Sequence, residues 1–312
     1  MKKLTSLLLV LILMLSCGVC ALASEEKPKY SENDGYKIIN NVAYQKGSKS
    51  YAAIDIFGTY ESFKNTTKIV VIDKIDSLPV TSVTNIIYDY YESVGREKNT
   101  TVKQVVLPNS IRTIGDYTFY KLESLKKINM PKSLKYVGAS AFSGDKNLKK
   151  LNLPDTVTYI GEWAFFRMES LEKFSFPKKI KNIPIGVLSS CHSLEKVTFK
   201  GNVKTIGAVS FADCKNLKSI TIPKTVKEIG NEAFAHCKKL SKVVLKGYKL
   251  PKLNESVFCN TKKGIRFQVR TRAIAKQFKK QLKEKGTNKA KIYVGKKLIY
   301  KNITDDFWKK AK

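Results

Sequence analysis

The sequence predicts an α/β-type repeat solenoid that is mostly β with short turns and helices, and three observations support this fold class. The chain repeats every 23 residues from Gly115 onward, and the same residue types return at each step. A single unit is too short to bury its own apolar residues, whereas stacked units bury them against each other. We therefore expect an elongated molecule with a long outer surface and without a catalytic cleft. The repeated positions are Gly115, Gly138, Gly161, Gly207 and Gly230; Phe119, Phe142, Phe165, Phe211 and Phe234; and Leu125, Leu148, Leu171, Leu194, Leu217 and Leu240.

One unit, residues 148–170, shows how a coil is built. Its leucines follow the rhythm L-x-x-L-x-L, in which the last two alternate as in a half-buried strand. Pro154 then ends the strand, because proline cannot donate to a neighbouring strand. A second apolar pair follows, and Gly161 is expected to supply a turn with positive φ. An Ala-Phe pair at 164–165 provides the third inward-facing contact, which predicts a three-sided coil around a continuous core.

The repeat unit resembles a known family. The pattern L-x-x-L-x-L-P-x-x-V-x-x-I-G-x-x-A-F-x-x-C-x-x is similar to the BspA-like bacterial leucine-rich repeat, and residues 217–239 match it at nearly every position. The resemblance covers about residues 105–245. It implies a right-handed leucine-rich-repeat solenoid with a parallel sheet on one side and irregular or short helical turns on the other. It also implies a secreted or surface-displayed adhesin or interaction protein, and the motif carries no catalytic residues.

Two departures from the pattern predict local irregularity. At residues 184–188 both the glycine and the Ala-Phe pair are replaced, and Lys200 stands where proline is expected. Gly207 returns to the 23-residue grid, so we expect this coil to stay in register. Near Phe258 the pattern slips by one residue, which indicates a degenerate last repeat.

We divide the chain into a signal peptide (1–23), a linker (24–35), an N-terminal cap with a divergent first repeat (36–103), the leucine-rich repeat solenoid (104–261) and a basic C-terminal cap (262–312). The N-terminal cap is expected to form a strand pair around Gly47 that covers the exposed sheet edge. Val83 occupies the column of Ile114 but lies 31 residues earlier. The extra residues include Tyr88, Tyr90 and Tyr91, which predict either a functional loop or an edge cover.

The C-terminal cap is expected to contain a strand, a helix and a hairpin. A strand is predicted at 266–269, a helix at 271–285 and a hairpin across Gly295. A short final helix is predicted to begin after Thr304, because Thr304 suits an N-cap position. The helix carries an apolar stripe that predicts docking on the last coil. The stripe consists of Ile274, Phe278 and Leu282.

The N-terminus is typical of a secretory signal. Two lysines precede an apolar run, and Ala21-Leu22-Ala23 offers a small-residue cleavage site, so cleavage is predicted after Ala23. An alternative makes Cys17 a lipoprotein anchor. No later stretch approaches the roughly 18 apolar residues that a membrane helix needs. The mature chain is therefore predicted to have no membrane span and to be secreted, extracellular or on the cell surface.

Four cysteines remain in the mature chain: Cys191, Cys214, Cys237 and Cys259. The first three are spaced by 23 and share one column, which permits a disulfide but favours thiols packed in the core. Cys259 is off the grid. No Cys-x-x-Cys pair occurs and the two histidines occupy different columns, so neither a metal nor a cofactor is expected. The same absence of catalytic motifs predicts that the protein is not an enzyme.

The net charge of +32 is distributed in columns and in the C-terminal cap. Residues 262–301 hold 15 lysines and arginines against one acid, Glu284. Within the repeats, two outward columns are basic, the first interrupted only by Ser219 and the second by Thr158. Neighbouring strands are about 4.8 Å apart, so these charges repel each other unless an anion lies over them. The first column is Lys127, Lys150, Lys173, Lys196 and Lys242, and the second is Arg112, Lys135, Lys181, Lys204 and Lys227.

These observations favour an adhesin-like interaction protein that binds anionic polymers or acidic protein surfaces through the lysine-rich repeat face and basic cap. The candidate partners are cell-wall teichoic acid or another anionic polysaccharide, host glycosaminoglycan and host protein. Nucleic acid is expected to bind only by non-specific electrostatics. The alternative is a specific protein-binding adhesin in which the charge is incidental and Tyr88, Tyr90 and Tyr91 carry the contact.

Overall fold

The computed structural model describes residues 36–39, 42–56, 67–84, 101–285 and 289–303. In these residues the chain forms a β-solenoid of about eight turns with little helix, which confirms the predicted fold class. The elements are β1 (Tyr36–Ile39), β2 (Val42–Lys46), β3 (Tyr51–Ile56), β4 (Lys68–Val70), β5 (Lys74–Ile75), β6 (Leu78–Val83), β7 (Gln104–Val106), β8 (Thr113–Ile114), β9 (Lys127–Ile128), β10 (Tyr136–Val137), β11 (Tyr159–Ile160), β12 (Lys173–Phe176), β13 (Asn182–Ile183), β14 (Lys196–Phe199), β15 (Thr205–Ile206), β16 (Ser219–Ile222), β17 (Glu228–Ile229), β18 (Lys242–Leu245), β19 (Lys252–Leu253), β20 (Arg266–Val269), α1 (Arg272–Lys285), β21 (Ala290–Val294) and β22 (Lys297–Ile303).

Each coil has three sides, and the first wall is formed by the strands of the L-x-x-L-x-L segment. Strands β12, β14, β16, β18, β20 and β21 pair in parallel, and a smaller sheet contains β4, β7 and β9. The register equals the sequence period, since Lys173 pairs with Lys196. Within β12, Phe174 and Phe176 are buried while Lys173 is exposed. This alternation directs apolar side chains into the core and lysines to the outer face.

A second wall of two-residue strands extends the expectation of a sheet on one side only. Strands β6, β8, β10 and β11 pair in parallel on this wall, and so do β13, β15, β17 and β19. Its hydrogen bonds include the Gly138 N–H donating to the Ile114 carbonyl and the Gly161 N–H donating to the Val137 carbonyl, each at 2.8 Å. The turn side of the repeat is therefore also held by a short parallel sheet.

The expectation that Gly161 needs positive φ is wrong. Positive φ values among the glycines occur at Gly144, Gly186, Gly264 and Gly295, not at Gly161. A Cβ atom on Gly161 would lie 2.3 Å from the backbone nitrogen of Ala139 in the preceding coil. Glycine is required here because adjacent coils approach too closely for a side chain.

The third wall is made of turns in which non-glycine residues adopt the left-handed conformation. One such column recurs every coil, and consecutive coils are joined by backbone bonds such as the Phe142 N–H donating to the Ala164 carbonyl at 2.8 Å. The phenylalanines of this wall point inward and stack, with ring centroids 5.2 Å apart for Phe211 and Phe234. The column consists of Tyr117, Ser140, Trp163, Gly186, Val209, Glu232 and Ser256.

The one-residue slip near Phe258 is absorbed without loss of packing. Phe258 stacks on Phe234 with centroids 5.6 Å apart and an interplanar angle of 8°. Leu253 pairs with Ile229, so this coil has 24 residues. The coil that contains residues 184–188 also keeps its register, since Ile183 pairs with Ile206.

Both ends of the described solenoid carry additional β structure. Strands β1, β2 and β3 form an antiparallel meander, so the N-terminal cap has three strands where a pair was predicted. Val83 pairs with Ile114 as predicted. At the other end, Phe278 of α1 packs edge-on against Phe267 of the last coil at 5.1 Å. The signal peptide, the linker, the tyrosine loop and the predicted final helix lie outside the described residues.

The column cysteines are buried, free thiols rather than a disulfide. Each donates a hydrogen bond to the carbonyl 26 residues earlier, at 3.1–3.2 Å. Burial raises the pKa of Cys191 and of Cys237 to about 12. Cys259 is half-buried. The three donor–acceptor pairs are Cys191 with Phe165, Cys214 with Leu188, and Cys237 with Phe211.

We expect the three column thiols to be unreactive in the folded protein. A thiol reacts as the thiolate, and burial suppresses both ionisation and access. In the native protein at pH 8, an aromatic disulfide reagent should label Cys259 at most, and all four mature-chain cysteines should react in guanidinium chloride. Rapid labelling of three or four thiols in the folded state would contradict the buried column.

Candidate functional site

The first basic column lies on the outer face of the first wall, as predicted, and we call it the lysine ladder. Its pairing is continuous from Lys150 onward: Lys150 pairs with Lys173, and Lys173 pairs with Lys196. Ser219 then separates Lys196 from Lys242. Lys127, on β9, pairs with Gln104 in the smaller sheet. The five lysines of this column are exposed.

Sequence reasoning missed two cations that extend the ladder into the C-terminal cap. Lys242 pairs with Arg266, and Arg266 pairs with Lys291. Both fall off the 23-residue grid because the intervening coils contain extra residues, including the whole of α1. From Lys150 to Lys291 the ladder places six cations on seven adjacent strands, a length of about 29 Å. The predicted strand at 266–269 was the signal that could have identified Arg266.

The ladder cations have no carboxylate partners among the described residues. The acid beside them, Glu195, is occupied by Lys218 at 2.9 Å. The hydrogen bond from Lys218 lowers the pKa of Glu195, and the charges of Lys218 and Lys173 contribute in the same direction. The ladder is therefore a row of like charges whose mutual repulsion an external anion would relieve.

The second basic column lies along the edge of the neighbouring second wall. The Lys135 N–H donates to the Arg112 carbonyl at 2.8 Å, and the Lys227 N–H donates to the Lys204 carbonyl at 2.8 Å. Thr158 interrupts the column as predicted. All five basic residues of this column, Lys181 included, are exposed. The two columns thus lie on different walls and do not merge into a single row.

The C-terminal cap places several cations over aromatic rings. The Arg270 guanidinium lies 4.6 Å from the Tyr248 ring centroid and donates to the Tyr248 hydroxyl at 2.6 Å. The Lys279 ammonium lies 4.6 Å from the ring centroid of Tyr300. These contacts fix some of the cap charges in place, whereas the ladder lysines project freely.

The remaining polar groups do not form a catalytic or metal site. The His192 Nε2 lies 2.9 Å from Asp213 Oδ2, and Lys215 joins the same carboxylate at 3.5 Å. His236 lies on the next coil and is half-buried. In the described part of the chain, no group of three or more histidine, cysteine, aspartate or glutamate side chains is placed to hold a metal ion.

Comparison with solved structures supports the architecture. A leucine rich cell surface protein from Faecalibacterium prausnitzii A2-165 aligns with a TM-score of 0.60 at 22% identity, covering 76% of this chain and 64% of that chain. This chain therefore spans less than two thirds of that protein. A leucine-rich repeat protein from Bacteroides ovatus ATCC 8483 aligns with a TM-score of 0.49 at 21% identity, covering 74% and 70% of the two chains.

Sequence comparison identifies the family. No protein of curated function matches the chain. No helix in the described ranges is both long and apolar enough to cross a membrane. The BspA type leucine rich repeat region matches residues 97–215 and 181–281, with six copies. These matches cover more than half of the sequence and coincide with the coils that form the three walls. The chain belongs to the BspA-type leucine-rich repeat family.

Proposed function

We propose that this protein is a secreted or cell-surface interaction protein, adhesin-like in role, that binds anionic polymers or acidic protein surfaces. The observation that carries this proposal is the lysine ladder, a row of six cations without carboxylate partners on seven adjacent strands. The binding surface consists of the ladder and the basic C-terminal cap, and it requires neither a cofactor nor a catalytic step. The second basic column is an additional contact on the neighbouring wall.

The regular spacing of the ladder favours a polymer with repeated negative charges. Each strand adds one cation at intervals of about 4.8 Å, so a linear polyanion can meet several of them at once. Anionic polysaccharide, cell-wall teichoic acid and host glycosaminoglycan have such repeated charges, and an acidic protein surface offers a less regular version. Nucleic acid shares the charge but is expected to bind without sequence preference.

The preference for lysine over arginine agrees with this class of ligand. Lysine is a point charge on a flexible stem, whereas arginine forms a planar fork suited to bidentate recognition. A ladder of lysines attracts charge without fixing the geometry of one ligand group. This favours affinity for a polymer over selection of one small molecule.

The proposed location follows from the N-terminal segment and from the structural comparison. The predicted signal peptide, residues 1–23 with cleavage after Ala23, would export the chain, and Cys17 provides an alternative lipid anchor. The aligned Faecalibacterium protein is described as a cell surface protein, which supports the same location here.

The test is binding of the mature chain to immobilised heparin across a series of salt concentrations. If the ladder binds through six charge contacts, the logarithm of the affinity should fall with the logarithm of salt with a slope of about −4 to −5. A neutral polysaccharide of similar length, such as dextran, is the control. No heparin binding at low salt would overturn the proposal.

A salt-independent interaction with a protein partner would instead favour the alternative of a specific protein-binding adhesin. That alternative places the contact on the tyrosine loop outside the described residues. Replacing Tyr88, Tyr90 and Tyr91 with serine distinguishes the two, since heparin binding should be unchanged in that variant.

A further inference from the structure

The second wall is interrupted at one place in the stacked repeats, between β11 and β13. Strand β11 pairs only with β10, and β13 pairs only with β15. In other coils the residue at the glycine position donates its N–H to the coil before, as Gly161 does to Val137 and Gly207 does to Ile183. Pro184 occupies this position in the interrupted coil and has no N–H to donate. The Ile160 carbonyl therefore lacks the bond that its equivalents accept.

The interruption is local, because both neighbouring walls remain bonded across the same two coils. On the third wall the Trp163 N–H donates to the Ile185 carbonyl at 3.0 Å, only three residues after Ile160. On the first wall Lys150 pairs with Lys173. The coils thus cannot separate by the width of a whole strand, and an inserted peptide strand does not fit between them. The interruption instead leaves an open groove of about 1000 Å³.

One side of this groove, which we call the Pro184 groove, is a rigid aromatic surface. The Tyr159 side chain is 48% exposed and Ile185 is 39% exposed, which makes both unusual among the large apolar residues of the repeats. The Tyr159 ring stacks on Tyr136 with centroids 4.5 Å apart and an interplanar angle of 5°. The stack holds the ring in one orientation, so its outward part is a preformed flat contact surface.

The charge of the Pro184 groove is basic. Four lysines and one carboxylate, Glu162, are among the residues that line it. Asp155 bonds to two of these lysines, Lys200 at 3.2 Å and Lys178 at 3.6 Å, and so positions their ammonium groups. The lining lysines are Lys178, Lys179, Lys181 and Lys200. The groove therefore combines cations, an apolar ring face and backbone carbonyl acceptors in one place.

We propose that the Pro184 groove binds an acidic saccharide, a segment of sugar rings that carry carboxylate or sulfate groups. A sugar ring presents a flat C–H face to Tyr159, its hydroxyls donate to acceptors such as the free Ile160 carbonyl, and its acidic group lies against the lysines. A groove of this volume accommodates a short oligosaccharide. The inference rests on the proposed function and narrows the polymer class from any polyanion to an anionic polysaccharide.

The test compares two probes of similar charge, one with sugar rings and one without. The probes are tetragalacturonic acid and inorganic tetraphosphate, each titrated into the mature chain by calorimetry. Tyr159→Ser should weaken tetragalacturonic acid binding about tenfold, since it removes the ring contact. It should leave tetraphosphate binding unchanged. Tyr248→Ser is the matched control, because it removes another exposed tyrosine that lies outside the groove.

A second variant tests the origin of the groove. Pro184→Gly restores the repeat residue and supplies an N–H for the Ile160 carbonyl, so it should close the interruption and weaken tetragalacturonic acid binding. Thermal unfolding monitors the fold of both variants. A heparin-derived tetrasaccharide, which carries sulfate, then distinguishes a glycosaminoglycan source from a carboxylate polymer.

The outcomes separate this inference from the proposed function. Unchanged tetragalacturonic acid binding in folded Tyr159→Ser overturns the groove site. Salt-sensitive heparin binding by a wild-type chain that binds neither short saccharide also overturns it, yet leaves the proposed function in place. Absence of binding to every polyanion overturns both. Binding of a short saccharide that depends on Tyr159 supports the site.

Discussion

Replacing the five lysines of the ladder with glutamine together should reduce heparin affinity about a thousandfold at 0.15 M salt, because five counterion-releasing contacts are lost. The variant is Lys127, Lys150, Lys173, Lys196 and Lys242, each changed to glutamine. The slope of log affinity against log salt should become shallower by about four, whereas a single replacement should change it by less than one. Surface plasmon resonance over a salt series measures both quantities. Since the five side chains are exposed, the fold should be retained.

A matched control changes the same number of lysines that already have carboxylate partners. These side chains are engaged internally at 2.7–3.3 Å, so removing them lowers the net charge equally without opening the ladder. The control should lose far less heparin affinity than the ladder variant. Equal losses would show that the polymer responds to total charge and would contradict the ladder as the site. The four such lysines are Lys37, Lys146, Lys218 and Lys252, and Lys215 beside Asp213 completes the set of five.

The second large effect is expected at Asp145, which occupies the cysteine column two coils before Cys191. Its carboxyl is fully buried, and Oδ1 accepts the Leu122 N–H at 2.9 Å. Oδ2 has no hydrogen-bond partner. Burial raises the pKa of Asp145 well above its usual value, against the opposing effect of the Leu122 N–H. The column cysteines donate to the carbonyl 26 residues earlier, which for this position is that of Phe119.

Asp145→Asn should raise the free energy of unfolding at pH 7 by about 2 kcal/mol, because an amide keeps the Leu122 bond and adds a donor that needs no proton. In the wild-type chain the raised pKa favours folding below about pH 4, the pKa of an unfolded aspartate. That contribution is lost as pH rises through the folded pKa. The variant should lack this loss.

Urea denaturation of both chains at pH 4, pH 5.5 and pH 7 measures this difference. The gain from Asp145→Asn should grow with pH, and subtraction of the two curves removes the contribution of all other titrating groups. Asp145→Cys, which restores the column residue, is a second variant with the same expected direction. A variant that is less stable than wild type at pH 7, or a gain that shrinks with rising pH, would contradict the assignment.

The period predicted the core and the register of the coils because both depend on local apolar spacing. Phe211, Phe234 and Leu240 are buried at the positions that the grid gives them. The grid could not give the reason for its glycines, since the clash at Gly161 is with Ala139 in another coil. Likewise, the φ values of residues such as Val209 depend on the bonds between turns rather than on their own side chains.

The candidate site was predictable only where coil length stays constant. The lysine columns follow from counting by 23, and the count fails at Arg266 and Lys291 because the chain inserts residues between the walls. Pro184 was visible as a departure in the sequence. Its consequence was not, since the groove depends on which neighbouring bonds remain when one is missing.

The interrupted second wall also has a mechanical consequence. In a stack where each coil contacts only its neighbours, the resistance to bending is a series of separate interfaces. Across the Pro184 coil two walls are hydrogen-bonded, while elsewhere along the later repeats all three are. Bending and torsion should therefore concentrate at this interface. A chain held at one end and pulled through a bound polymer would flex there first, which places the joint of the rod beside its saccharide groove.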